Sequence, residues 1–273
     1  MPSAHATVLS KLPALTFLFW VMKIAATTLG ETAGDLMSMT LNVGYLVSTI
    51  ILMSAFVVVL VGQLAAKRYI PFLYWAVILA TSTAGTTMSD FMNRTLGLGY
   101  ATGSTILLST LIGVLVVWRL VEKSLSVNDV RSRRAEIFYW SAILVSNTLG
   151  TSLGDYLADD SGLGFAGGAL LIGGIIALIV AVYFLAKRMK VASAGLSVAL
   201  FWAAFVLTRP FGATMGDVLT KDTDKGGLGF GTVGSSIVLA VVLIAVISYT
   251  MWRTPSARVI EPRKVVANAP DLS

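Results

Sequence analysis

The chain has 273 residues, 56% hydrophobic and only 12% charged, with a mean hydropathy of +0.83, whereas soluble domains carry about 25% charged residues; an integral membrane protein is expected. No Cys is present, which excludes disulfides, thiolate metal sites and a cysteine nucleophile. The single His5 lies in the N-terminal tail, and the net charge of +6 sits mostly at predicted helix ends, so membrane topology rather than nucleic acid accounts for it.

Residues 1–12 read as a short polar tail with no evident signal-cleavage site. Eight apolar runs follow, each near the ~20 residues needed to cross a ~30 Å hydrocarbon core. They group into repeats at about 13–66, 69–121, 137–188 and 196–252. A polar connection at 119–136 separates the halves, and 253–273 form a basic tail. The expected fold is an all-α membrane protein, one membrane domain over 1–273, with eight transmembrane helices in four parallel two-helix repeats. Nothing alternates with the period of two that strands require.

Lys and Arg divide unevenly between the two sides. One side holds Lys11, Lys67, Arg68, Arg119, Lys123, Arg131, Arg133, Arg134, Lys187, Arg188, Lys190, Arg253, Arg258, Arg263 and Lys264; the other holds Arg94, Lys221 and Lys225. The positive-inside rule then places both termini in the cytoplasm of a bacterial inner membrane.

Each repeat opens with a Trp and reaches an Asp 15 residues later: Trp20 to Asp35, Trp75 to Asp90, Trp140 to Asp155 and Trp202 to Asp217. A Gly stands five residues before each Asp, a small residue just before it, and a Gly-aromatic pair opens the second run. Residues three, four and seven before the Asp share its helical face. There the repeats place Thr28, Thr83 and Thr148 at the seventh position, with Glu31 added in the first repeat only. The Gly and Thr positions suit close helix packing, and the Trp residues suit either interfacial anchoring or a core. Packing does not explain the carboxylates, since an ionised Asp in hydrocarbon costs about 2.5–3.5 kcal/mol on insertion scales.

Glu31, Asp35, Asp90, Asp155 and Asp217 outnumber Lys23 and Arg209, the bases of the repeated segments. Protons, bound cations or nearby Arg94 must make up a shortfall of three. Lys23, three residues from its Trp, is expected to snorkel to the cytoplasm. Arg209 needs a carboxylate partner, Glu31 being the candidate, and Pro210 is expected to kink or break its helix. The candidate ion-binding residues are therefore Glu31, Asp35, Asp90, Asp155, Asp217, Thr28, Thr83, Thr148 and Arg209. The five acids are the candidate metal ligands, and hard oxygen donors favour Mg²⁺, Mn²⁺, Ca²⁺, alkali ions or protons.

The pattern Trp…Gly-x-x-x-[Gly/Ser]-Asp…Gly-[Tyr/Phe] resembles a bacterial membrane-protein family defined by four tandem repeats of unknown function. Each repeat of that family has two transmembrane segments and a Trp. The resemblance covers about residues 13–252 and implies the architecture, with no activity to carry over. From the residues, the expectation is a transporter of a small cation, favoured as proton-coupled export of a divalent metal such as Mn or Mg. The partners are then the lipid bilayer and a small cation or proton, with no nucleic acid and no cofactor beyond a possible bound divalent cation. A channel or small-organic-cation transporter, and a non-transporting structural or regulatory subunit, stand as alternatives. No nucleophile–base constellation points to an enzyme.

Overall fold

The computed structural model describes residues 12–13, 15–130 and 132–253. The tails carrying His5, Lys11, Arg258, Arg263 and Lys264, together with Arg131, lie outside the described residues. Among the described residues there are eight long helices and no strand: α1 (Phe17–Asp35), α2 (Tyr45–Ala65), α3 (Pro71–Asp90), α4 (Tyr100–Glu122), α5 (Arg133–Asp155), α6 (Gly164–Arg188), α7 (Ala194–Thr220) and α8 (Gly231–Arg253).

The odd helices begin on ordinary start signals. Hydroxyls of Thr16, Ser132 and Ser193 accept from the backbone N–H of Phe19, Ala135 and Leu196 at 3.3, 2.9 and 3.1 Å, filling donors that a first turn leaves open. Pro71 opens α3, where a proline's missing N–H costs nothing. Past the Asp, α1, α3 and α5 widen into π-helical turns at Leu36–Thr40, Phe91–Thr95 and Tyr156–Asp160. The chain then reverses through Gly44 (φ 84°) and Gly99 (φ 73°), left-handed conformations that only Gly adopts cheaply, directly before Tyr45 and Tyr100. The fourth repeat differs. Its α7 continues past Asp217 to Thr220 without a π-turn, and a short 3₁₀ turn at Thr223–Lys225 lengthens the loop.

α1, α3, α5 and α7 form an inner ring in which each packs on its two neighbours and α7 returns to α1. The even helices lie outside, and each packs chiefly on the odd helix of the next repeat: α2 on α3, α4 on α5, α6 on α7. α8 closes the circle on α1, where Ser236 Oγ lies 2.8 Å from Thr32 Oγ1 and Thr40 meets Thr232 at 2.7 Å. The repeat in sequence and the packed pair in space are therefore out of phase by one helix.

α2, α4, α6, α7 and α8 are long and apolar enough to cross a membrane, which marks a membrane protein. The outer helices turn Val58, Leu108, Leu170 and Ile237 outward, with Leu170 78% exposed, the surface that lipid rather than water tolerates. α1, α3 and α5 are less apolar because they are enclosed: their Thr, Ser, Gly and acidic residues are buried against other helices. The polar connection between the halves contracts to 123–132, and Val127 and Val130 of that loop are buried in the core.

Two local readings left open by the sequence are narrowed. α7 runs through Pro210 without a break. Close to the proline the Thr27 hydroxyl of α1 donates to the Thr208 carbonyl at 3.2 Å, which ties this stretch of α7 to α1. Trp75, Trp140 and Trp202 are buried with Tyr74, Tyr139 and Phe205 in one aromatic core, so core packing and not interfacial anchoring accounts for them.

The motif glycines mark the seams of the inner ring. A Cβ at Gly85 would lie 3.0 Å from backbone atoms of Asn147 and Thr148, at Gly150 2.9 Å from the Pro210 nitrogen, and at Gly212 3.0 Å from the Thr27 carbonyl carbon. Gly113 on the outer α4 has open space instead. Gly212→Ala should therefore destabilise the detergent-solubilised protein by about 1–3 kcal/mol through overpacking. Gly113→Ala should be neutral or stabilising by about 0.5–1 kcal/mol. Thermal unfolding of the two variants checks this; equal melting temperatures would contradict the tight seam.

Candidate functional site

Counting back from each Asp in steps of four reads out the interior of the ring. Four residues back stand Glu31, Thr86, Thr151 and Ala213; eight back, Thr27, Ser82, Asn147 and Arg209; twelve back, Lys23, Ile78, Ile143 and Phe205. All twelve side chains are buried. Their bonds run across the ring between helices that do not neighbour each other, which places them on its axis.

The central layer is an ion pair tied to all four inner helices. Arg209 Nη1 of α7 donates to Glu31 Oε2 of α1 at 2.9 Å. Its Nη2 donates to Thr86 Oγ1 and the Ser82 carbonyl of α3, at 2.5 and 3.3 Å, and to Thr151 Oγ1 of α5 at 2.7 Å. Thr86 and Thr151 in turn donate to Glu31 Oε2 at 3.2 and 3.1 Å. Arg209 thus finds the partner expected for it. One layer deeper, Lys23 is fully buried, 3.5 Å from Asn147 Oδ1 and 4.2 Å over the Phe205 ring. It does not snorkel, because its position twelve residues before Asp35 turns it to the axis.

On the other side of the central layer the four carboxylates form a ring, each at most 4% exposed. Two bases split them into pairs. Lys221 Nζ lies 3.1 Å from Asp35 Oδ2 and 3.2 Å from Asp217 Oδ1. Arg94 Nε lies 3.1 Å from Asp90 Oδ1, and its Nη2 lies 3.8 Å from Asp155 Oδ2. The second pairing is the poorer one: neither Asp90 Oδ1 nor Asp155 Oδ2 receives a hydrogen bond from a described residue. Burial alone would lower the pKa of Lys221, at the end of α7, but the Asp217 and Asp35 carboxylates outweigh it and hold the ammonium above its ordinary value.

A cavity of about 150 Å³ meets this ring at the seam of the first and fourth repeats, lined by Asp35, Met39, Thr40, Thr220, Lys221, Asp222, Lys225 and Thr232. Beneath it, Glu31, Asp35 and Asp217 each offer a carboxylate oxygen, all within 4.8 Å of one another. Three hard oxygen donors at that spacing could hold a cation of the Mg²⁺, Mn²⁺ or Ca²⁺ kind.

The structure brings Glu31, Asp35, Asp90, Asp155, Asp217 and Arg209 together. It does not bring Thr28, Thr83 and Thr148 to them. Those hydroxyls bond back to carbonyls of their own helices, Ile24 at 2.9 Å, Ala80 at 3.1 Å and Leu144 at 3.0 Å, as Ser and Thr often do in helices. The shortfall of three positive charges also shrinks, because Arg94 and Lys221 both join the ring. Lys221 was counted only as a loop charge, yet its signal was present. Each base stands four residues after its Asp, a helical neighbour, while Met39 and Asp159 fill that place in the other two repeats.

A sequence family described as "Repeat of Unknown Function (DUF347)" matches the chain four times, at residues 18–69, 73–124, 138–189 and 200–255. The chain belongs to this family. The DUF347 repeats coincide with the four Trp-to-Asp units, each match spanning an inner helix and the outer helix after it. No curated protein and no solved structure matches the chain. The family's description carries no activity, so function rests on the axial residues.

Breaking one side of the central pair should be severe. Glu31→Gln leaves Arg209 uncompensated and Arg209→Met strands Glu31, each at about 3–5 kcal/mol. The double variant should lose clearly less than the two combined. Unfolding in mixed detergent measures this, and additive losses would show that the pair is not coupled.

Proposed function

We propose that this DUF347 protein is a carrier of a small cation, favoured as a divalent metal such as Mn²⁺ or Mg²⁺ with proton coupling. The observation that supports it is the convergence of five buried carboxylates on one axis, one of which, Asp35, lines a cavity at the end of the ring. Against Glu31 and the four Asp stand four axial bases, Lys23, Arg94, Arg209 and Lys221, leaving one negative charge in excess. Buried carboxylates without full compensation are costly. A cation or proton meets that excess.

In this reading all eight helices span a bacterial inner membrane with both termini cytoplasmic, and the Asp ring lies towards the outer face. Side chains fill the axis from the ring through Arg209 and Lys23 to the aromatic layer, where Tyr74 and Tyr139 share a 2.7 Å hydrogen bond. That filling favours a carrier that opens alternately over an open channel or a wide organic-cation site. A structural subunit is the second reading, favoured by the fact that each carboxylate lies near a base.

Purified protein in liposomes that trap a Mn²⁺-quenched dye decides between them. The wild type should admit Mn²⁺, and Asp35→Asn and Asp217→Asn should slow entry by on the order of tenfold or more, as loss of ligand-shell groups does. Folded variants that behave as wild type would sink the transport reading. The full chain carrying a reporter after Ser273 should report cytoplasmic in cells; a periplasmic signal would overturn the orientation.

A further inference from the structure

The two halves of the Asp ring look alike in composition and differ in the base that bridges them. Between Asp90 and Asp155 stands Arg94, a planar fork; between Asp35 and Asp217 stands Lys221, a compact ammonium on a flexible stem. We infer that Lys221 is a tethered stand-in for the transported cation, and that a divalent ion exchanges at Asp35, Asp217 and Glu31 when Lys221 swings aside. This rests on the transport reading above.

The position of the ammonium is the first support. At 3.1 and 3.2 Å from one oxygen of each carboxylate, it sits where a small hard cation would sit. Glu31 completes a set of three oxygens within 4.8 Å of one another. Access is the second. The cavity touches Asp35 and Lys221, and neither Arg94, Asp90 nor Asp155 lines it. The Lys221 side chain is 23% exposed against 6% for Asp35 and 4% for Asp217, so the lysine stands between the cavity and the more deeply buried carboxylates. The third support is a place for the ammonium to go: Lys221 is the first residue past α7, its side chain is a flexible four-carbon stem, and Asp222 in the cavity wall is a third carboxylate beside Asp35 and Asp217.

The formal charges also match. With Lys221 withdrawn, the five axial acids face Lys23, Arg94 and Arg209, and the two missing positive charges are those of a divalent ion. With Lys221 returned, one charge is missing and one proton supplies it. Exchange of a divalent ion for the lysine together with one proton therefore leaves the buried charge unchanged.

Mn²⁺ binding to the detergent-solubilised full chain, followed by the electron-spin-resonance signal of the free ion, tests this. Lys221→Met should lower the apparent Kd for Mn²⁺ about tenfold, because the internal competitor is gone. Lys221→Arg, which keeps the charge but grips with two points, should raise it above the wild-type value, and elution as a single sharp peak in size exclusion confirms the fold of either variant. An unchanged Kd in folded Lys221→Met, or loss of Mn²⁺ binding by it, would overturn the stand-in role while leaving transport intact. A wild type that binds no Mn²⁺ would overturn both.

Discussion

Glu31 and Arg209 meet at the centre of the ring at 2.9 Å, both essentially out of reach of solvent. Moving two such charges into a low-dielectric interior costs several kcal/mol per ion, and mutual attraction repays it only when the remaining donors and acceptors are also met. Here Thr86 and Thr151 bond to both partners and the Ser82 carbonyl takes a further Arg209 N–H, while the buried Arg209 Nε has no hydrogen-bond partner among the described residues. The pair therefore draws on α1, α3, α5 and α7 at once. No two neighbouring helices alone could satisfy it, so the ring must close in one register. That demand explains why the motif glycines recur: close seams at Gly85, Gly150 and Gly212 bring the helices near enough for short hydroxyl side chains to reach the axis.

A fourfold scaffold built this way carries a twofold arrangement of charge. Bases follow the Asp by one helical turn in the second and fourth repeats only, so each bridges its own carboxylate and that of an adjacent repeat. The fourth repeat departs further, with α7 prolonged, a longer loop, and the cavity at its seam with the first. Asymmetry is concentrated where a guest would enter. The opposite end of the axis is apolar and aromatic, and the loop after α4 is drawn under it through Val127, Val130 and the bond from Trp202 Nε1 to the Leu125 carbonyl at 3.0 Å.

Much of this could be read from the chain. The Trp-to-Asp period, the eight helices and the gathering of acids on an inner face follow from spacing and from the cost of charge in hydrocarbon. Three features did not. The period cannot say which neighbour an outer helix leans on, and the packed pairs run α2 with α3 up to α8 with α1 rather than within each repeat. A helical face is broad enough that positions three, four and seven before the Asp seemed equivalent; packing selects the row at four, eight and twelve, leaving Thr28, Thr83 and Thr148 to bond their own helices. Lys23 looked interfacial because it follows Trp20, but it stands twelve residues before Asp35, on the row that faces the axis, and is fully buried there. Arg94 is legible as a nearby counter-charge, whereas Lys221, equally one turn beyond its Asp, is masked by its place in the outer loop.

The account stands on the axial carboxylates being a seat for positive charge, and locating that charge tests it most directly. Anomalous scattering or difference density from protein saturated with Mn²⁺ would show where the ion sits. The account predicts a peak between Asp35, Asp217 and Glu31 with the Lys221 side chain displaced towards Asp222. Mn²⁺ found only at the outer surface, with Lys221 still bridging Asp35 and Asp217, would contradict it.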